Sequence, residues 1–208
     1  MNKLGIRTSV KNLLARNDTT DSIVDGFIDM AVARIQRTLR VPPMEKMMTS
    51  TVTDENSNTI ILPNDFLRIK HLYTTGLQRN YSIEYKDPST FIQTPDAPGN
   101  TPKIYTRIQG SLLLNPTPPV GMQIAMVYYG EIPDLVADAD TNFLTEIAPD
   151  LLIYTALSFA ADYYIDDRKD QFEQVAESAF QQLMDQAYEV DMNQEGLTVS
   201  TSFFAPEY

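Results

Sequence analysis

The chain has 208 residues, with 16 Lys and Arg against 28 Asp and Glu, for a formal charge of −12. It has no Cys and one His, which excludes disulfides, thiolate zinc sites, Fe–S clusters, a Cys nucleophile and any His-cluster metal site. The negative balance argues against holding nucleic acid by phosphate neutralisation. Its 43% hydrophobic and 21% charged residues are those of a globular protein.

In chain order, the first 43 residues read as helix. Ser9 is a candidate cap for a short segment through Arg16, and Asn17–Thr20 is a polar break. Thr20 or Asp21 then caps a longer helix whose stripe is Val24, Phe27, Ile28, Ala31, Ile35 and Leu39. Asp21 and Asp25 sit at the positive end of its dipole, and Arg34, Arg37 and Arg40 at its negative end. Pro42-Pro43 ends it.

Residues 44–137 change character. Eleven of the 13 prolines fall in the stretch from Pro42 to Pro133. Short β-rich runs alternate with turns: Lys46–Thr53, Thr59–Leu62, Leu67–Thr75, Tyr81–Tyr85, Lys103–Gln109, Ser111–Leu114 and Met122–Ile132. Seven short strands at this spacing predict an antiparallel sandwich or small barrel. Asp87-Pro88-Ser89 starts one helical turn through Phe91.

Helix resumes from Asp138, with Thr141 or Asn142 as cap, and runs to about Asp167. Between Leu151 and Ile165 only Thr155, Ser158 and Asp162 are polar apart from tyrosine hydroxyls. A helix apolar nearly all round must be central to a bundle, or meet another subunit. A last helix runs to about Asn193, with Phe172, Val175, Ala176, Ala179, Leu183, Ala187 and Val190 as its stripe and Glu173, Glu177 and Asp185 opposite. The remaining segment ends Phe203-Phe204-Ala205-Pro206-Glu207-Tyr208, aromatic enough to suggest a partner groove. The expected architecture is α+β: a helical bundle from residues 1–43 and 138–193, an inserted β domain at 44–137, and an extended tail at 194–208.

Charge is unevenly placed. Residues 1–130 carry 14 basic and 11 acidic side chains (+3), and residues 131–208 carry 2 and 17 (−15). That split allows head-to-tail contacts between copies. Met1–Gly5 lacks an apolar run, so no secretory signal is expected. Asp150 and Asp162 interrupt the longest apolar region, which argues against a membrane span. A soluble intracellular product is expected.

Few residues carry a chemical signal. His71 lies in a predicted strand without an orienting carboxylate or nucleophile motif. Asp54, Asn56 and Asn58 match the first half of a calcium loop, but Thr59 stands where the loop needs Gly and Asp65 where it needs Glu. A hairpin turn explains the run better. Asp138-Ala139-Asp140-Thr141-Asn142 reads as helix capping. No G-x-S-x-G, P-loop or G-x-G-x-x-G occurs. No catalytic residue, metal or cofactor is expected. A cell-wall carbohydrate-binding or peptidoglycan-hydrolysing module is the alternative.

A family pattern runs through about residues 20–190. Leu62-Pro63-Asn64-Asp65-Phe66-Leu67 resembles the LPxDFL segment of the head-to-tail adaptor, or head-completion, proteins of tailed phages. Pro102-Lys103-Ile104-Tyr105 is similar to their P-x-x-Y strand, and Leu113–Pro118 to their L-x-x-P-x-P turn. Val127-Tyr128-Tyr129 with Ile132–Leu135, Thr141–Leu144, Pro149–Tyr154, Arg34-Ile35 and Pro43-Met44-Glu45 follow in the family's order, although the Trp many relatives carry near the early helix is missing. The resemblance implies a virion structural protein of the neck. It implies a homo-oligomeric ring, commonly of twelve, beneath the portal protein. A tail nozzle or later connector would be the next partner. DNA would pass without specific binding, and no membrane would be involved. Residues expected at interfaces are Phe203, Phe204, Tyr208, Tyr163, Tyr164 and Phe159.

Overall fold

The computed structural model describes residues 1–54, 57–76 and 79–194, with side chains to residue 189. The chain divides into two compact units. One is helical and joins Met1–Pro42 to the chain from Ile132 onward; the other is Pro43–Glu131.

The helical unit begins with α1 (Lys3–Leu14). This helix starts six residues before the predicted cap Ser9, because Asn2 caps it: the Asn2 side chain accepts from the Gly5 amide at 2.9 Å. Ile6, Val10 and Leu14, at steps of four, are fully buried and hold the helix down. Next, α2 (Asp21–Thr38) buries Val24, Phe27, Ile28, Ala31 and Ile35 of the predicted stripe. Thr20 is its cap by backbone geometry alone, and Leu39 turns extended three residues before Pro42.

After Ile132 the predicted single helix is two. A short α4 (Phe143–Ile147) ends at Ala148, and α5 (Pro149–Tyr164) starts there. Pro149 disfavours helical backbone at Ala148 and occupies the first helical position, where its missing amide costs nothing. Asn142 caps α4 in a reciprocal box: its Oδ1 accepts from the Thr145 amide at 3.1 Å and its own amide donates to Thr145 Oγ1 at 3.0 Å. Its Nδ2 also donates to Pro133 O. Asn142→Ala is therefore expected to cost about 1–2 kcal/mol, visible as a drop of several degrees in Tm. Thr20→Ala, which removes no capping bond, serves as the silent control.

α6 (Lys169–Gln194) completes the unit. Phe172, Ala176, Ala179 and Leu183 are buried, but Val175 of the predicted stripe is 41% exposed. Glu173, opposite the stripe, is half-buried and pairs with Arg34 of α2. The apolar α5 is the centre of this unit, packing against α1, α2, α4 and α6. Leu151, Leu152, Ile153, Ala156, Leu157, Ala160 and Ala161 are all buried there. Its burial is met within the chain, so its apolar circumference needs no second subunit.

The second unit has seven strands: β1 (Glu45–Thr51), β2 (Thr59–Ile61), β3 (Phe66–Thr75), β4 (Glu84–Tyr85), β5 (Ile104–Ile108), β6 (Ser111–Asn115) and β7 (Gln123–Gly130). They form two open sheets, ordered β1-β7-β3 and β2-β6-β5-β4, and not a closed barrel. Ile124, Met126 and Tyr128 alternate along β7 into a core shared with Leu112 and Leu114 of β6, Ile60 of β2 and Leu72 of β3. One pairing departs from the antiparallel prediction. β4 runs parallel to β5, since the chain between them crosses over through α3 (Pro88–Gln93), capped by Asp87.

Candidate functional site

Charge in the folded chain does not follow the split seen along the sequence. The helical unit gathers 9 basic and 20 acidic side chains, a balance of −11, and the β unit 7 and 8, a balance of −1. The basic residues of α1 and α2 share this unit with the acidic segment: Arg7 and Arg34 reach it at Asp138 and Glu173, while Lys3, Arg7 and Lys11 pair with Asp25 and Asp21 of α2. Arg7 grips Asp25 with two bonds of 2.7 and 2.8 Å, reaches Asp138 at 2.8 Å, and shares Asp25 with Lys3 at 3.2 Å. Arg7's bonds to Asp25 and Asp138 push its pKa above the usual arginine range, and the same bond from Arg7 holds Asp25 below the carboxylate range. Lys11 pairs with Asp21. Glu146, Asp150, Asp170, Glu177, Asp185 and Glu189 remain on the exposed surface. Such a surface repels DNA phosphates and favours a basic protein partner.

An aromatic strip runs along α2 and α5. Tyr163, 63% exposed, lies 5.7 Å from the Phe27 ring and 4.8 Å from Tyr164. Tyr164 is half-buried: the Arg16 guanidinium sits 4.4 Å from its ring centre and the Thr19 hydroxyl donates to its oxygen at 3.1 Å. One turn back on α5, Phe159 is half-buried with Arg34 5.9 Å from its ring. The predicted residues Phe159, Tyr163 and Tyr164 thus share one region of the helical unit.

Two residues beyond Tyr163 along the chain is one that the sequence did not mark. Ile165 ends α5 in the left-handed region (φ 54°, ψ 51°) and is 91% exposed. A β-branched side chain there costs about 1–2 kcal/mol, and full exposure returns nothing for it. The turn is fixed from both sides: the Asp166 amide donates to Ala161 O at 2.8 Å, and Arg168 donates to Leu13 O and Leu14 O at 3.1 Å each. Those carbonyls close the C-terminus of α1, where a cation is favourable. Bonds from the Arg168 side chain and backbone hold the Asp166 carboxyl down at about 2. The outcome is a rigid mount for an exposed apolar side chain.

A groove of about 470 Å³ opens between α2, α5 and α6. Ile35, Leu151, Ala176 and Phe180 give its apolar lining, and Arg34, Arg37 and the exposed Glu177 its charged edge.

The remaining candidates fall elsewhere. His71 is exposed on β3 and stacks on Tyr73 at 5.3 Å. The Ser57 amide donates to Asp54 O in a turn, and Asn58 Oδ1 accepts from the Thr59 hydroxyl; Asn56 lies outside the described residues. Asp140 Oδ2 accepts from the amides of Val136 and Ala137 in the loop before α4, so of that acidic run only Asn142 caps the helix. Among the described residues no cluster of three or more His, Asp or Glu could hold a metal, and no helix is long and apolar enough to cross a membrane. Phe203, Phe204 and Tyr208 lie outside the described residues.

The model of the SU10 adaptor protein family matches residues 1–201, nearly the whole chain, and the chain belongs to that family. It is a bacteriophage adaptor, a structural protein that works through other head and tail proteins of the virion. No curated protein matches it.

Proposed function

We propose that this adaptor forms a closed ring of identical copies, twelve in number, beneath the phage portal. The ring joins the capsid to the tail nozzle or next connector, and DNA passes through it. Family membership supports the place in the virion, and the rigid exposed pair Tyr163 and Ile165 carries the argument for assembly. Among the described residues nothing packs over Ile165, while the all-apolar α5 is already satisfied. A strained, exposed apolar side chain is therefore kept for a neighbour. Phe159, Tyr164 and the segment containing Phe203, Phe204 and Tyr208 extend that contact. The acidic surface keeps DNA from adhering, whichever face lines the channel.

Two variants test the assignment without touching the fold. Ile165→Asn places a residue suited to left-handed backbone where no burial is lost. Its Tm is expected to hold or rise, and its incorporation into particles to fall at least tenfold. Deleting Ser202–Tyr208 is expected to leave the fold intact and reduce incorporation likewise. Wild-type incorporation of both variants would refute the interface.

A further inference from the structure

The groove between α2, α5 and α6 carries features that the ring leaves unused. Arg34 is engaged by Glu173, but Arg37, three residues on, is exposed and has no ion-pair partner among the described residues. Beneath these cations lie Ile35, Leu151, Ala176 and the half-buried Phe180. The volume, about 470 Å³, is that of an ordinary ligand cleft. Its openness to apolar matter does not stop at Phe180. Met184 and Ala187 are also half-buried, continuing the stripe along α6 toward Gln194. α6 has 26 residues against 16 in α5, so it outruns its neighbour by ten residues, about 15 Å of helix.

We propose that this groove holds the chain's own Phe203–Tyr208, folded back alongside α6. The chemistry matches: two adjacent phenylalanines for the apolar lining, and Glu207 within about 10 Å of them, in extended chain, for Arg37. The reach matches as well. Phe180 lies fourteen residues before Gln194, about 21 Å along the helix. Phe203 lies nine residues after it, about 30 Å in extended chain, which leaves about 9 Å for the reversal. Gly196 and Pro206 disfavour simple continuation of the helix. A short tether gives the segment an effective concentration in the millimolar range, so a free subunit fills its own groove before that of another copy. The consequence rests on the ring proposed above: a segment seated at home is withheld from neighbours, and assembly must draw it out. Occupancy of the groove does not depend on that reading.

The absence of Cys makes the test clean. A nitroxide on Ser202→Cys in the full ¹⁵N-labelled chain is expected to reduce the amide signals of Arg37, Thr38, Ala176 and Phe180 by more than half. The loss is greater there than in the last turn of α6 and unchanged on tenfold dilution. Arg37→Glu, or Phe203→Ser with Phe204→Ser, removes it. A loss that merely decays away from Gln194 overturns the proposal. So does a loss that appears when spin-labelled chain of natural isotope content is mixed with unmodified ¹⁵N chain, which would assign the groove to a second copy's segment.

Discussion

Leu157→Ala lowers the stability of the helical unit by about 3 kcal/mol or more, one of the two largest losses expected from a single substitution. Leu157 lies midway along α5 and is fully buried. Its removal forfeits both the transfer of its methyl groups from water and the contacts lining the cavity left behind. Four other helices close around α5, so little collapse can fill that space. Urea or thermal unfolding followed by circular dichroism gives the number. Ile165→Ala is the matched truncation at the C-cap of the same helix, where 91% exposure leaves no burial to lose; its Tm should not fall. Equal losses at the two positions would mean that α5 is not the centre of its unit.

Arg7→Met is the second, at about 2–3 kcal/mol. Breaking a buried ion pair by removing one partner costs about 3–5 kcal/mol, and the partners here keep some water: the side chains of Asp25 and Asp138 are 23% and 59% exposed, against 9% for Arg7. The methylene stem survives in Met, so the loss reports the charge and its bonds. Asp25→Asn in the Arg7→Met background should cost far less than in the wild type, because the two act as one unit. The pH dependence has a fixed sign. Arg7's bond chiefly, with Lys3's, favours the ionised Asp25 in the folded chain and lowers its pKa. That stabilisation is complete above the ordinary carboxylate range and drains as pH falls through it toward the folded value. In Arg7→Met the acid-induced loss should shrink. An unchanged acid profile would show that Asp25 draws no stability from Arg7.

Local pattern carried much of this fold. The stripe of α2 was legible because burial repeats every three or four residues on one helix face, and the seven strands because turn residues punctuate them. The misreadings share a cause: they depend on what meets the element in space. Ser9 read as the first cap from its residue type, but Asn2, seven residues earlier, caps α1. Pro149 divides a helix that its apolar content alone would keep whole. Glu173 sits on the polar side of α6 by periodicity, yet α2 brings Arg34 to it. The split of +3 and −15 was a property of cutting the chain in sequence. Folding places α1 and α2 with the acidic segment, giving −11 and −1. Tyr163, Tyr164 and Phe159 were named from the sequence, and folding leaves Tyr163 exposed and the other two half-buried. Ile165 was not, since isoleucine has no sequence signature for left-handed backbone; the signal is its φ and its exposure together.

The most direct measurement is electron cryo-microscopy of this chain mixed with the portal of its phage, and of the intact virion neck. A rotationally symmetric ring of this protein, seated between portal and tail with Tyr163 and Ile165 against an adjoining subunit, is the result expected. A chain that is missing from the virion, and that stays monomeric with the portal present, would contradict the account.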